Sequence, residues 1–284
     1  MSTGRSSRGR HADSPVQQER LPGDNERTIL GLGRPRVHLR RTDSTNDRAR
    51  ELAIAGAPHG TLVTASEQTA GRGRQGRRWS APANSALLMS LVLRSPPALL
   101  PLIAAVAVCD VAGDDAQIKW PNDIVTAQSD GLAKLAGILA EGRPQQDWAV
   151  LGIGLNVAVR LEDLPTELRD TAATLGRSSV EIEPTLERLL RALEQRLGEP
   201  TEATLDAWRT RDALRGRAIV WRAHSSSEDR VTNGRAEGLD GDGRLVVGLP
   251  GGERTTLDAG EVHLEEIGLS PGERGVGRQM ERRV

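Results

Sequence analysis

Between residues 35 and 213 the chain alternates short apolar runs with amphipathic ones. From Arg36 to Arg41, Val37 and Leu39 alternate with polar neighbours, the period of a half-buried strand. Asp43-Ser44-Thr45-Asn46 follows, four residues that favour a helix N-cap, and Ala49, Leu52 and Ala53 continue at helical spacing until Gly56 stops the helix. Thr61 to Ser66 and Ser85 to Leu93 predict two further strands, separated by a Gly- and Arg-rich segment from Ala70 to Arg78. Leu99 to Val111 predicts an apolar helix. Strands are then expected over Ala116 to Trp120, Leu132 to Glu141 and Trp148 to Val159, and amphipathic helices over Pro184 to Leu197 and Ala203 to Leu214. This order predicts an α+β fold, a sheet covered by helices on one face.

From Gly216 the rhythm changes to short strand-like pieces punctuated by glycine and by the turn pair Asp242-Gly243. That predicts a small all-β barrel of about five strands. Residues 1–34 and 268–284 lack either periodicity and read as polar, disordered tails. The chain therefore divides into a tail (1–34), a larger unit (35–213), a small β unit (214–267) and a second tail (268–284).

Charge changes this picture little: 27% of the 284 residues are charged, but the net formal charge is -1, so no global field argues for nucleic acid or membrane as the main partner. The single cysteine, Cys109, sits in an apolar run, which excludes an intramolecular disulfide and suits a reducing compartment. The N-terminal residues contain no apolar h-region, and the longest apolar run, Ala98 to Cys109, is short and interrupted by Pro101. A cytoplasmic location is expected. Phe and Tyr are absent, so the five tryptophans are the only aromatics and each needs its own explanation.

Four segments are candidates for chemistry. In Gly71-Arg72-Gly73-Arg74-Gln75-Gly76-Arg77-Arg78-Trp79, alternating glycines can expose backbone amides to an anion and the arginines add bidentate donors. The Walker and dinucleotide patterns are both missing, and an RNA-binding stretch or a solvated basic loop fits the same string. Lys119-Trp120-Pro121-Asn122-Asp123 places a cation and two polar groups at one turn, while Lys134 sets a cation against an apolar strand, where snorkelling is the alternative. Gly152-Ile153-Gly154-Leu155-Asn156-Val157 puts glycines inside a strand, for a ligand or for close packing.

Together, and in this order, these motifs resemble the biotin protein ligase family, over roughly Arg36 to Glu266. The resemblance rests on Ser44-Thr45-Asn46, on the stretch from Glu67 to Trp79, on Lys119 to Asp123, on Lys134 to Leu139 and on Gly152 to Val157. It implies a mixed sheet with helices behind it, related to lipoate ligases, followed by an SH3-like barrel. The implied activity is ATP-dependent adenylation of biotin, then transfer to a lysine of a biotin carboxyl carrier protein, with Mg²⁺ as the ATP counter-ion; no metal-ligand cluster stands out in the sequence. By motif, Ser44, Thr45, Asn46, Gln68, Gly71, Arg72, Gly73, Lys134 and Gly137 would bind biotin in a slot lined by Leu135, Gly137 and Ile138. Arg74, Arg77, Trp79, Lys119, Asn122 and Asn156 would meet the nucleotide. Arg72, Arg74, Lys119, Asp123 and Lys134 would carry the chemistry, Lys119 at the α-phosphate and Asp123 as base or orienting group. For Ser44 and Thr45 simple N-capping competes with binding, and for Trp79 a core role competes with adenine stacking. A lipoate ligase-like enzyme, an RNA-binding protein and a non-catalytic biotin-binding module remain as alternatives. Some family members carry a winged-helix domain ahead of this unit; with only the tail before the first strand, a DNA-binding regulator is not expected. Monomers and dimers both occur in the family, which leaves the oligomeric state open.

Overall fold

The computed structural model describes residues 31–129, 131–142, 147–224, 229–258 and 262–264. Most of both expected tails lies outside these residues. Residues 31–34 do not behave as tail: Leu32 is buried, its amide donates to Glu194 Oε1 (2.9 Å), and Gly33 N donates to Gly60 O (2.8 Å).

The elements run β1 (Arg36–Leu39), α1 (Thr45–Ile54), β2 (Leu62–Ala65), β3 (Ala86–Arg94), α2 (Leu100–Ala112), β4 (Ala116–Lys119), β5 (Asp123–Gln128), β6 (Gly131–Gly142), β7 (Trp148–Asn156), α3 (Thr166–Arg169), α4 (Ile182–Leu197) and α5 (Thr201–Arg209). The strands form a seven-stranded sheet in the order β1-β2-β3-β7-β6-β5-β4. Its β1–β2 pair is parallel and the others are antiparallel, so the sheet is mixed. The short α3, the strand β5 and the end of α5 depart from the sequence pattern. β5 joins β4 to β6; with Ile124 and Val125 both buried, it shows no alternation to announce it. α5 ends at Arg209 because the next residues turn to pair with the sheet edge: Ile118 N donates to Arg211 O (2.7 Å) and Ala213 N to Ile118 O (3.0 Å).

Helices cover both faces, not one. On β3, Leu87, Met89, Leu91 and Leu93 pack with α2 and α4, whereas Val92 packs with Val63, Val150 and the Ala49 and Ala53 stripe of α1. Successive strand residues point to opposite faces, so α1 lies across the sheet from α2 and α4. The face that α1 shares is short of cover beyond the N-terminus of α1, and the candidate site lies there.

Five more strands, β8 (Ala218–His224), β9 (Asp229–Leu239), β10 (Leu245–Gly248), β11 (Arg254–Leu257) and β12 (Val262–Leu264), form an antiparallel sheet in the order β11-β10-β9-β8-β12. Its apolar residues Ile219, Trp221, Ala236, Leu245 and Val247 are continuous with the main core. Trp120 ties the two sheets together, its buried indole Nε1 donating to Gly243 O (3.1 Å).

Candidate functional site

The Gly/Arg segment is a small hairpin laid over the exposed part of the sheet. Arg72 and Arg78 pair across it, Gly73 N donates to Arg77 O (2.8 Å), Arg77 N to Arg74 O (3.1 Å) and Trp79 N to Gly71 O (2.9 Å). The turn needs left-handed backbone at Gln75 (φ 55) and Gly76 (φ 75). At Gly71 a Cβ would stand 2.5 Å from Trp79 O, so only glycine lets the hairpin close. Gly71 thus shapes the segment without lining the cavity beneath it. Because the hairpin uses several of the amides itself, side-chain cations rather than a backbone nest dominate the anion-attracting surface.

Four cations converge there. Arg74 Nη1 donates to Asn122 Oδ1 (3.3 Å), and Asn122 Nδ2 is held in turn by Ile138 O (2.9 Å). Lys134 Nζ lies 2.7 Å from Asp123 Oδ1. Burial pushes the Lys119 ammonium below the usual lysine range; Asp123 opposes the shift, while Lys134 and Arg77 add to it. Burial likewise lowers Arg74, against the pull of Asp123 and with the push of Arg77. Asp123 is the carboxylate these charges share, so the end of the cavity is strongly electropositive.

Lys134 faces the cavity because of a bulge. β5 and β6 pair Ile124 with Ala136 but Val125 with Lys134, leaving Leu135 as an extra residue. Without it, positions 134 and 137 would point to opposite faces; with it, Lys134 Nζ comes within 3.4 Å of where a Gly137 Cβ would stand. Leu135 is correspondingly buried in the core, and Leu139, with Gly137 and Ile138, lines the slot in its place.

At the other end of the cavity, Ser44 caps α1, its Oγ accepting from Asp47 N (3.4 Å), and still lines the cavity. Gln68 Oε1 accepts from Thr45 N (2.7 Å) and Thr45 Oγ1 (3.0 Å), which leaves the Gln68 amide group as a donor. Ser90, Glu141 and Asp47, which no motif singles out, complete this end. Buried Ser90 Oγ donates to Asn46 Oδ1 (2.6 Å), and Asn46 Nδ2 donates to Glu141 Oε2 (2.9 Å). Arg72 spans Asp47 Oδ1 (2.8 Å) and Glu141 Oε1 (2.9 Å). Its charge is therefore engaged by two carboxylates, and it ties the hairpin to α1 and to β6. Replacing Glu141 by Gln removes one of those ion pairs and the acceptor that orients Asn46. The expected result is about a tenfold rise in KM for the small-molecule substrate with a smaller change in kcat, measured by steady-state kinetics.

Trp79 resolves one of the two-way readings in part. Its ring lies on the glycine strip of β6 and β7: a Cβ at Gly154 would meet Cε2 at 2.5 Å, and one at Gly137 would meet Cζ3 at 3.2 Å. Its half-buried indole has Lys134 Nζ at 5.8 Å from the ring centroid, and its buried Nε1 has no partner among the described residues. The strand glycines are thus required by the close approach of a side chain. Gly154→Ala must displace Trp79, with an expected loss of about 1–3 kcal/mol in stability on chemical denaturation and quenching changes in tryptophan fluorescence. Gly152 plays the same part for Asn46, whose Oδ1 would be 2.0 Å from an added Cβ.

Of the residues singled out in the sequence, Ser44, Thr45, Asn46, Gln68, Arg72, Gly73, Arg74, Arg77, Trp79, Lys119, Asn122, Asp123, Lys134 and Gly137 line one cavity. Asn156 does not. Its Nδ2 donates to Ala173 O (2.8 Å) and its carbonyl accepts from Leu175 N (2.9 Å), so it fastens the segment after α3 to the sheet. No group of three or more His, Cys, Asp or Glu side chains able to hold a metal lies among the described residues.

Residues 38–157 match the model of the biotin/lipoate A/B protein ligase family, and residues 225–264 match that of the biotin protein ligase C-terminal domain. The biotin--[acetyl-CoA-carboxylase] ligase of Mycobacterium tuberculosis is 33% identical over 238 residues, covering 78% of this chain and 85% of the relative. Its counterpart from Paracoccus denitrificans is 33% identical over 249 residues, covering 79% and 98%. The bifunctional ligase/repressor BirA of Bacillus subtilis is 42% identical, but the chain spans only 45% of its length, and 49% of that from Bacillus spizizenii. Among solved structures, a biotin protein ligase from Aquifex aeolicus in complex with biotin and ATP superposes with a TM-score of 0.65 at 25% identity, covering 81% of this chain and 98% of that one. Relatives a third identical across most of both chains, on a fold that assembles the matching motifs around one cavity, show that this chain belongs to the biotin protein ligase family.

Proposed function

We propose that the chain joins biotin to ATP, forming biotinyl-5′-AMP and pyrophosphate, and then transfers the biotinyl group to a lysine of a biotin carboxyl carrier protein. The observation that carries this reading is the two-ended cavity: neutral donors and acceptors from Ser44, Thr45, Asn46 and Gln68 at one end, four cations around Asp123 at the other. A ureido ring offers a carbonyl acceptor and two N–H donors that hydroxyls and a side-chain amide can match, and the slot floored by Gly137, Leu139 and Gly154 suits the thiophane ring and its chain.

In the first step a biotin carboxylate oxygen attacks the α-phosphorus of ATP, the bond from that phosphorus to the bridging oxygen breaks, and pyrophosphate leaves. Two anions must approach and charge then builds on the phosphoryl oxygens, so positioned cations are the main requirement. Lys119 and Lys134 fill that role, with Arg74 closing the tip of the hairpin over the activated product and Arg72 holding its other end. Mg²⁺ would enter with the nucleotide phosphates. Asn122 acts by aiming Arg74, and Trp79 offers a face for the adenine. In the second step the acceptor amine attacks the acyl carbon, the bond to the AMP oxygen breaks, and the amine releases its proton. Asp123 already holds Lys134 at 2.7 Å, which favours orienting the amine over accepting its proton.

We assign catalysis to residues 35–213 and take 214–267 as the C-terminal unit. No described helix is long and apolar enough to cross a membrane, and the buried Cys109 thiol is pushed up to about 12 by burial, an inert group compatible with the cytoplasm. The test is to incubate the pure protein with biotin, ATP, Mg²⁺ and a biotin carboxyl carrier domain. Biotin-dependent pyrophosphate and a labelled acceptor are expected, with neither when lipoic acid replaces biotin. Absence of both products with biotin overturns the reading.

A further inference from the structure

A second concavity lies on the opposite side of the sheet, where the C-terminal turn of α2 meets α4. Arg188, Arg191 and Gln195 recur at helical spacing along one face of α4, and Arg177 reaches the same place from the loop before it. The hydroxyl of Thr185, itself fully buried, draws two of these guanidiniums together: Arg177 Nη1 donates to it at 3.1 Å and Arg188 Nη2 at 3.2 Å. Arg191 makes no ion pair or hydrogen bond among the described residues.

The carboxylate on the rim does not offset these charges. Asp110 accepts from Arg196 Nε (2.8 Å), Arg196 Nη2 (3.1 Å) and Arg211 Nη2 (2.9 Å), which engages both of its oxygens elsewhere. A structural role accounts for one of the three cleft arginines: Arg177 Nη2 donates to Val111 O (3.2 Å), a carbonyl left over at the end of α2, where a cation also suits the helix dipole. It does not account for Arg188 and Arg191. Three guanidiniums gathered around one cleft with no carboxylate between them repel one another, and most of their N–H donors remain unused. A tetrahedral oxyanion removes the repulsion and fits the planar, forked donors.

We propose that this cleft binds a small phosphate-class anion, held by Arg177, Arg188 and Arg191; the Gln195 amide lines the same cleft but already donates to Glu199 Oε1 (3.1 Å). The position gives such a ligand a route to the main site. The segment that ends in Arg177 begins at Thr171 and Ala173, which pair with the backbone of Lys134 (2.7 and 2.8 Å), so fixing Arg177 restrains the chain beside Lys134.

The test is calorimetric titration of the full chain with inorganic phosphate at constant ionic strength, repeated with AMP. Wild type is expected to bind phosphate, Arg188→Gln/Arg191→Gln to bind at least tenfold more weakly with an unchanged thermal midpoint, and Arg188→Lys to fall between, since it keeps charge but not the fork. Lys119→Ala is expected to retain the binding. AMP binding with the same dependence identifies the group as a phosphate monoester, whereas phosphate alone identifies the free ion. Undiminished binding by the double variant, loss of binding in Lys119→Ala, or no binding by wild type at millimolar phosphate overturns the proposal.

Discussion

Lys119→Ala is expected to slow biotin-dependent pyrophosphate release by about 10²–10³-fold, the usual cost of removing one charged donor from a developing oxyanion, while leaving the affinity for biotin alone within a few-fold of wild type. The ammonium sits at the end of β4 in the field of Asp123, with no ion pair of its own among the described residues. Its half-buried setting makes it effective on phosphate, because a charge in a low-dielectric site interacts more strongly than one in water. That same burial lowers its pKa. Since the charged form is the useful one, activity should be full on the acid side of that lowered value and fall as pH rises through it. The alkaline limb of the kcat/KM profile, which reports the free enzyme, is therefore expected below the ordinary lysine range, and it should disappear in Lys119→Ala. Equal losses of biotin affinity and of adenylation would place Lys119 at the biotin end instead. Equilibrium binding of biotin and pyrophosphate release together distinguish the two.

Much of this site could be read from the sequence because its parts sit in short contiguous motifs at strand ends and caps. Ser44-Thr45-Asn46 and the hairpin from Gly71 to Trp79 are local structures, and local chemistry predicts them. One further signal lay in composition: both lysines of the chain, Lys119 and Lys134, line the cavity, although arginine serves everywhere else as the basic residue. What the sequence hid is non-local. The bulge at Leu135 is a property of pairing with β5, so the spacing of Lys134 and Gly137 by itself puts them on opposite faces. Asp47 and Glu141 look like solvated acids until the fold brings them to Arg72, 2.8 and 2.9 Å away. Asn156 misleads for the converse reason, since its neighbours in the motif reach the cavity while its own amide is turned to Ala173. The fold was legible to the same degree: the periodic elements stood out, whereas β5, with two adjacent buried residues, and the far-side position of α1 depended on tertiary contacts. The reading of the arginine segment as an RNA-binding stretch weakens on the same ground. Arg72 is engaged by two carboxylates and Arg74 is turned inward to Asn122, leaving less basic surface for a polyanion than the string suggests.

Arg74→Gly should leave adenylate formation within about tenfold of wild type but shorten the residence of the activated product by about 10²-fold or more, the loss of a charge-assisted contact together with the ordering it imposes. Arg74 joins the turn of the hairpin to the sheet through Asn122, whose own amide is fixed by Ile138 O at 2.9 Å. At the other end of the hairpin Arg72 makes the second tether, to α1 and β6. Removing the first while keeping the second frees the tip of the hairpin, where Gln75 and Gly76 already hold left-handed backbone and a further glycine adds conformational freedom. An acyl adenylate released from the cavity acylates amines indiscriminately, so the variant should biotinylate a bystander such as serum albumin that wild type leaves untouched. Two measurements decide it: the half-life of enzyme-bound radiolabelled adenylate after rapid gel filtration, and streptavidin detection of albumin in the same tube. If the variant keeps the adenylate as long as wild type, the hairpin is closed by Arg72 and its two carboxylates alone, and Glu141→Gln becomes the change that opens it.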